Sequence, residues 1–153
     1  MATRNSDLVL PAKLIAPIDA TGAARTSSYI DVSGAENFAI VIETGVIASA
    51  ADDMDITIKQ ATDTSGASTK ALTFTEAYTA TTSGKTAETV TSGAITVTAT
   101  DDGKVFVIPL RQEQLDADNG FKTIAVNITS PGANAALISV TLHIAGQRYN
   151  KSV

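Results

Sequence analysis

Tyr29-Ile30-Asp31-Val32-Ser33-Gly34-Ala35-Glu36-Asn37-Phe38-Ala39-Ile40-Val41-Ile42-Glu43-Thr44-Gly45-Val46-Ile47 is the stretch that decides the fold. It reads as a strand, a turn containing Gly34 and a second strand, with β-branched residues in both runs. In the second run Phe38, Ile40 and Ile42 share one face and Val41 takes the other. That is the period of two expected of a half-buried strand.

The same pattern continues to the end of the chain. Strands are expected at residues 27–32, 37–44, 55–61, 70–75, 86–91, 94–100, 104–110, 121–129 and 136–147. Ile56 and Ile58 face one way and Thr57 and Lys59 the other. Ile95 with Val97, Ile124 with Val126 and Ile128, and Val140 with Leu142 and Ile144 repeat the alternation. Asp102-Gly103 reads as a short hairpin between Val97 and Val105. Residues 61–68 read as an exposed loop, and a short helix fits only residues 111–119. Without long amphipathic helices a βαβ plan is disfavoured. The expected fold is all-β: an antiparallel two-sheet sandwich, jelly-roll-like, with an extended N-terminal arm. Its core is expected to hold Phe38, Ile40, Ile42, Ile56, Ile58, Ile95, Val97, Phe106, Ile124, Val126, Leu142 and Ile144.

The arm is placed at residues 1–24 and the sandwich domain at 25–153. Pro11 and Pro17 forbid a continuous helix or a central strand, and they hold Leu10 and Ala16 extended. Leu8, Val9, Leu10, Leu14, Ile15 and Ile18 are too apolar for a free tail. They need a surface, either the chain's own domain or a neighbouring subunit.

Composition narrows the function. The 153 residues suit one domain with an adequate core, and the chain has no cysteine. Disulfides, thiol chemistry and thiolate metal sites are thereby excluded. Eleven Lys and Arg against sixteen Asp and Glu give a net charge of −5 with no basic cluster, a poor design for nucleic acid. Charged residues are only 18% of the chain, and a surface of Thr and Ser suits protein contacts. Pro11, Lys13 and Pro17 interrupt the apolar segment 8–18, so no export signal is expected. No apolar run approaches the ~20 residues of a membrane span.

Each candidate site has a structural alternative. His143 is the single histidine and lies on the face of Thr141, to solvent or an interface. With no second His or Cys it lacks partners for metal or nucleophile chemistry. Asp52, Asp53 and Asp55 could ligate calcium, but they equally suit a solvated loop. Asp116-Ala117-Asp118-Asn119-Gly120 departs from a calcium loop, because Gly120 comes one place early and Asn127 stands where a Glu is needed. It reads better as a turn into the strand at Phe121. Asn127-Ile128-Thr129 and Asn150-Lys151-Ser152 match the glycosylation triplet. Tyr29, Tyr78 and Tyr149 are the tyrosines, with Tyr78 in a loop-like, exposed context. Catalytic, cofactor-binding and metal residues are all expected to be none, and the chain is expected not to be an enzyme.

The layout resembles the small structural proteins that tailed bacteriophages encode beside their major capsid genes. The likeness spans about Tyr29 to Tyr149. It is carried by Tyr29–Gly34 leading into Phe38–Ile42 and Gly45, by Asp55–Ala61, by Val105-Phe106-Val107, by Phe121–Ile128, and by the closing Ala145-Gly146-Gln147-Arg148-Tyr149. The resemblance implies a capsid decoration or cement protein, made in the host cytoplasm and placed on the capsid surface of the virion. The implied partners are the major capsid protein and further copies of the chain, as a homo-oligomer with a trimer favoured. No nucleic acid or membrane is involved. A tail or fibre-associated structural protein is a second reading. A carbohydrate-binding or adhesin-like sandwich is a third, disfavoured by 5% aromatic residues and no Trp on which a sugar could stack.

Overall fold

The computed structural model describes residues 10–48 and 53–147. Twelve strands run in the order β1 (Leu10–Asp19), β2 (Arg25–Thr26), β3 (Ile30–Asp31), β4 (Ala35–Ile47), β5 (Met54–Ala61), β6 (Lys70–Leu72), β7 (Tyr78–Thr81), β8 (Gly84–Ala87), β9 (Ala94–Val97), β10 (Val105–Arg111), β11 (Thr123–Ile128) and β12 (Ala136–Gln147). Sheet A has the order β1-β12-β4-β10-β7-β8. Sheet B is built on the β11–β5 pair, with β2 and β3 on the far side of β11 and β6 and β9 on the far side of β5. All pairings are antiparallel, and the chain passes from one sheet to the other at most of its connections. The fold is the expected all-β, two-sheet sandwich.

Alternation sets the core between the sheets. Phe38, Ile40 and Ile42 of β4 pair with Leu110, Ile108 and Phe106 of β10 on the inner face. From sheet B, Ile56, Ile58, Ile124, Val126, Ile95 and Val97 meet them, all at most 2% exposed. Eleven of the twelve expected core residues are buried; the twelfth, Ile144 near the end of β12, is partly covered. Fully burying such a side chain contributes about 1.5–3 kcal/mol before ordering costs. Arg25 Nε is buried without a hydrogen-bond partner, whereas the buried Gln60 amide is satisfied at both ends. Gln60 donates from Nε2 to Ala71 O (3.2 Å) and accepts from Asp116 N (2.9 Å) at Oε1.

Several expectations are corrected. Asp102-Gly103 does not close a hairpin: β9 lies in sheet B against β5, and β10 lies in sheet A between β4 and β7. Their apolar residues face the same core from opposite sides, which alternation alone does not distinguish from pairing. What links them is a 310 turn at Ala99–Asp101. Burial raises the Asp101 carboxyl's pKa, but bonds from Lys104 Nζ (2.7 Å), Thr98 N (2.7 Å) and Thr98 Oγ1 (3.1 Å) outweigh this and lower it overall. The expected helix over 111–119 is two short 310 turns, Gln112–Gln114 and Ala117–Asn119. Of the strand expected at 27–32 only Ile30–Asp31 is strand, as β3; β2 precedes it at Arg25–Thr26, and both pair with β11. The strands expected at 70–75 and 86–91 are β6 and, shifted toward the N-terminus, β8.

Residues 10–19 are extended as expected and form the edge strand β1 on β12. Two bulges interrupt the pairing, between Lys13 and Ile15 and between Ile15 and Ile18. An edge is where a strand tolerates proline, because the missing N–H need not serve a neighbour. Leu14 is buried and Ile15 partly so, while Ile18 is 37% exposed. Residues 1–9, and Leu8 and Val9 with them, lie outside the described residues.

Candidate functional site

The two outward faces of the sandwich are chemically different. On sheet B they carry polar side chains that bond to one another across strands. Asn127 Oδ1 accepts from Thr26 Oγ1 (2.8 Å), and Asn127 Nδ2 donates to Thr57 Oγ1 (3.5 Å). Thr96 Oγ1 donates to Asp55 Oδ1 (2.7 Å). Asn127 therefore sits near the end of β11 in a polar ladder, whatever its triplet.

On sheet A the register lays out rows that are uncharged except at the edge strand. One row runs Pro11, His143, Ala39 and Pro109. The next runs Lys13, Thr141, Val41, Val107 and Tyr78. Every residue of these rows except Pro11 and Lys13 on the edge strand is half-buried. Charge stays at the margins: Lys13 on β1, Glu43 toward one end, and Arg111, Glu113 and Glu76 at the other. A groove at that second end is lined by Ala39, Pro109, His143 and Ala145, with Glu76, Arg111 and Glu113 on its walls.

His143 lies where alternation places it, on the outer face beside Thr141, with Thr141 Oγ1 and His143 Nε2 3.2 Å apart. Tyr78 departs from expectation. It is the first residue of β7 and half-buried, with Lys85 Nζ 3.9 Å from its ring centroid and its hydroxyl donating to Glu76 (3.1 Å). That bond to a carboxylate raises the phenol's pKa. Tyr29 is half-buried and shares a hydrogen bond with Thr69 Oγ1 (2.8 Å). Tyr149 and the Asn150 triplet lie outside the described residues.

The acidic candidates form turns. Asp52 lies outside the described residues; Asp53 is exposed, and Asp55 opens the ladder bond to Thr96. Asp116 is bonded by Lys70 and by Asn119 Nδ2 (2.9 Å), and the Lys70 bond is the main reason its pKa is lowered. Gly120, at φ +81°, closes that turn in the left-handed conformation that glycine adopts without strain. Phe121 N then bonds Asp116 O (3.2 Å), which fits the turn reading. Among the described residues no three His, Cys, Asp or Glu side chains are grouped to hold a metal ion.

Sequence reasoning missed the outward face of sheet A as a unit. Its residues come from five strands, and only the register brings them into rows. The one local signal was Val41 and Val107, apolar residues at positions that alternation assigns to solvent.

No known protein-family model matches the chain. No curated protein matches it in sequence. Among solved structures, it is similar to the SPBc2 prophage-derived protein YomS, at TM-score 0.43 and 9% identity over 89% of this chain and 96% of that one. It is also similar to a structure of Bacillus endospore appendages, described as a family of disulfide-linked pili, at TM-score 0.39 and 14% identity over 95% of each chain. At these scores no functional property carries over.

Proposed function

We propose that the chain is a non-enzymatic structural protein of a bacteriophage virion, a capsid decoration or cement protein. It binds the head shell and associates with further copies of itself. The carrying observation is the outward face of sheet A, whose rows are uncharged at the centre and charged only at the rim. That distribution is the anatomy of a protein interface, with an apolar centre and a polar margin. The polar ladder of sheet B, by contrast, is complete in itself and suits solvent. A rigid sandwich with a proline-marked edge strand suits a protein that holds others in place without reacting with them.

The test is co-sedimentation of the purified chain with head shells of the phage whose genome encodes it. Saturable binding that raises the shells' resistance to heat is the expected result. Absence of binding to heads, together with binding to isolated tails, would replace this reading with the tail-associated one.

A further inference from the structure

The geometry points to a two-fold dimer in which the outward faces of sheet A from two copies pack on each other, the bulge at one end of each face seated in the groove at the other end of its partner. The inference deepens the proposed self-association and rests on it. It begins at the irregularity where Gly45 and Val46 of β4 face the single residue Leu137 of β12. Leu137 sits on Gly45; a Cβ there would lie 2.9 Å from Leu137 Cβ. So the bulge holds Leu137 up, 43% exposed, with Val46 beside it at 56%. Among the described residues these are the two most exposed large apolar side chains. The groove lined by Ala39, Pro109, His143 and Ala145 lies at the opposite end of the same face.

Leu137 and His143 are six residues apart on β12, about 20 Å along a strand. Because knob and groove share one face, a two-fold axis in the plane of that face and across the strands near Val41 seats both knobs at once. Such an interface is isologous and closed. It also keeps strand directions aligned, the usual packing of sheet on sheet. Near the axis, the row of Val41 and Val107 in one copy lies over the same row of the other, apolar against apolar.

One pair of rim charges is complementary, while Asp19 also flanks the knob and Glu76 and Glu113 flank the groove. Glu43 is beside the knob, in register with Ser139, and Arg111 is beside the groove, in register with Asn37. The same rotation brings each Arg111 toward the Glu43 of the other copy. Glu43 makes no ion pair among the described residues, and the Arg111–Glu113 contact is a long, exposed 3.4 Å. The sheet edges offer less. Pro11 and Pro17 remove N–H groups from β1, and β8 at the other edge is four residues long.

Sedimentation equilibrium on the full chain tests this, with Leu137→Asp, Glu43→Arg, Arg111→Glu and the double charge reversal as variants, each checked for folding by thermal melting. The wild type should be a dimer. Leu137→Asp should weaken it at least about tenfold. Each single reversal should weaken it about tenfold, and the double reversal should recover most of that loss. If Leu137→Asp fails to fold, the two exposed charge positions carry the test. A trimer, a monomer at about 100 μM, or a double reversal as weak as the singles overturns the two-fold. Shell binding is read on the same samples. A dimer that obeys the charge reversals but ignores shells overturns the virion reading alone, and a monomer that binds shells overturns the two-fold alone.

Discussion

Sheet A and sheet B present the same kind of inner face and opposite kinds of outer face. Inside, both supply alternating Ile, Val, Leu and Phe to one core. Outside, sheet B pairs Thr26, Asn127 and Thr57, and Thr96 with Asp55, so its polar groups find one another. Sheet A instead turns outward the half-buried Ala39, Val41, Val107 and Pro109, whose side chains have nothing to offer water. Long strands explain part of the difference. β4 with 13 residues, β12 with 12 and β1 with 10 make a broad surface, whereas sheet B is finished at both sides by strands of two to four residues. A broad, neutral surface is a feature of assembly; a narrow, polar one is a feature of solvation.

The largest effect should come from the core, where the two sheets are equivalent. Phe106 of β10 is 1% exposed between them. Phe106→Ala should destabilise by about 3–5 kcal/mol, the range for large-to-small changes at buried aromatic positions. Denaturant unfolding measures it. A loss under about 1 kcal/mol would mean that the sheets do not share a close-packed core.

A smaller effect is expected where the chain passes between the sheets. Asp101 holds Thr98 N, Thr98 Oγ1 and Lys104 Nζ, and the Thr44 hydroxyl bonds its carbonyl. Asp101→Ala leaves a backbone donor unsatisfied and should cost about 1–3 kcal/mol at neutral pH. The folded-state pKa lies below the ordinary 3.8, so the carboxylate's stabilisation is present above that value and lost as pH falls through the folded pKa. The wild type should therefore lose its advantage over Asp101→Ala as melting is followed down from neutral pH to below about 4. An advantage that stayed constant to the lowest pH would detach it from the carboxylate's charge.

Within sheet B, Asn127→Ala breaks the ladder from Thr26 to Thr57 and should cost about 0.5–1.5 kcal/mol, the usual net worth of such bonds. Its shell binding and self-association should match the wild type. A loss of either would mean that the polar face takes part in assembly and that the contrast between the faces is false.

The inner faces were legible in the sequence because period-two alternation is a local signal, and β4, β5, β9, β11 and β12 each carry it. Strand partners were not. Asp102-Gly103 has hairpin chemistry, yet β9 and β10 enter different sheets, since facing strands and paired strands bury the same alternate residues. β7 went unrecognised because Tyr78-Thr79-Ala80-Thr81 is short and buries only Thr79 completely. β1 was legible as extended chain, and Pro11 and Pro17 marked it as unfit for a central strand. What they could not show was that β12 would supply its neighbour. The outward face of sheet A was least legible, because Pro11, Ala39, Val107 and His143 meet only after the strand order is known.

The smallest effect on stability is also the sharpest test of the two faces. Val41 on β4 and Ala71 on β6 both point outward, one between Thr141 and Val107, the other opposite Lys59. Glutamate can be placed at either without entering the core. Val41→Glu and Ala71→Glu should each change the unfolding free energy by less than about 1 kcal/mol, as outward substitutions do. Assembly should separate them completely. At Val41 the carboxylate must be desolvated whenever another protein covers the centre of sheet A, with no cation in its row nearer than Lys13 on the edge strand, so association should fall by at least about tenfold. At Ala71 it meets Lys59 and water, and association should be unchanged. Light scattering and shell co-sedimentation on the two variants read the difference directly. If both variants associate like the wild type, the neutral rows of sheet A are ordinary solvent-facing surface; if both fail, the sandwich is held by more than its sheet A face.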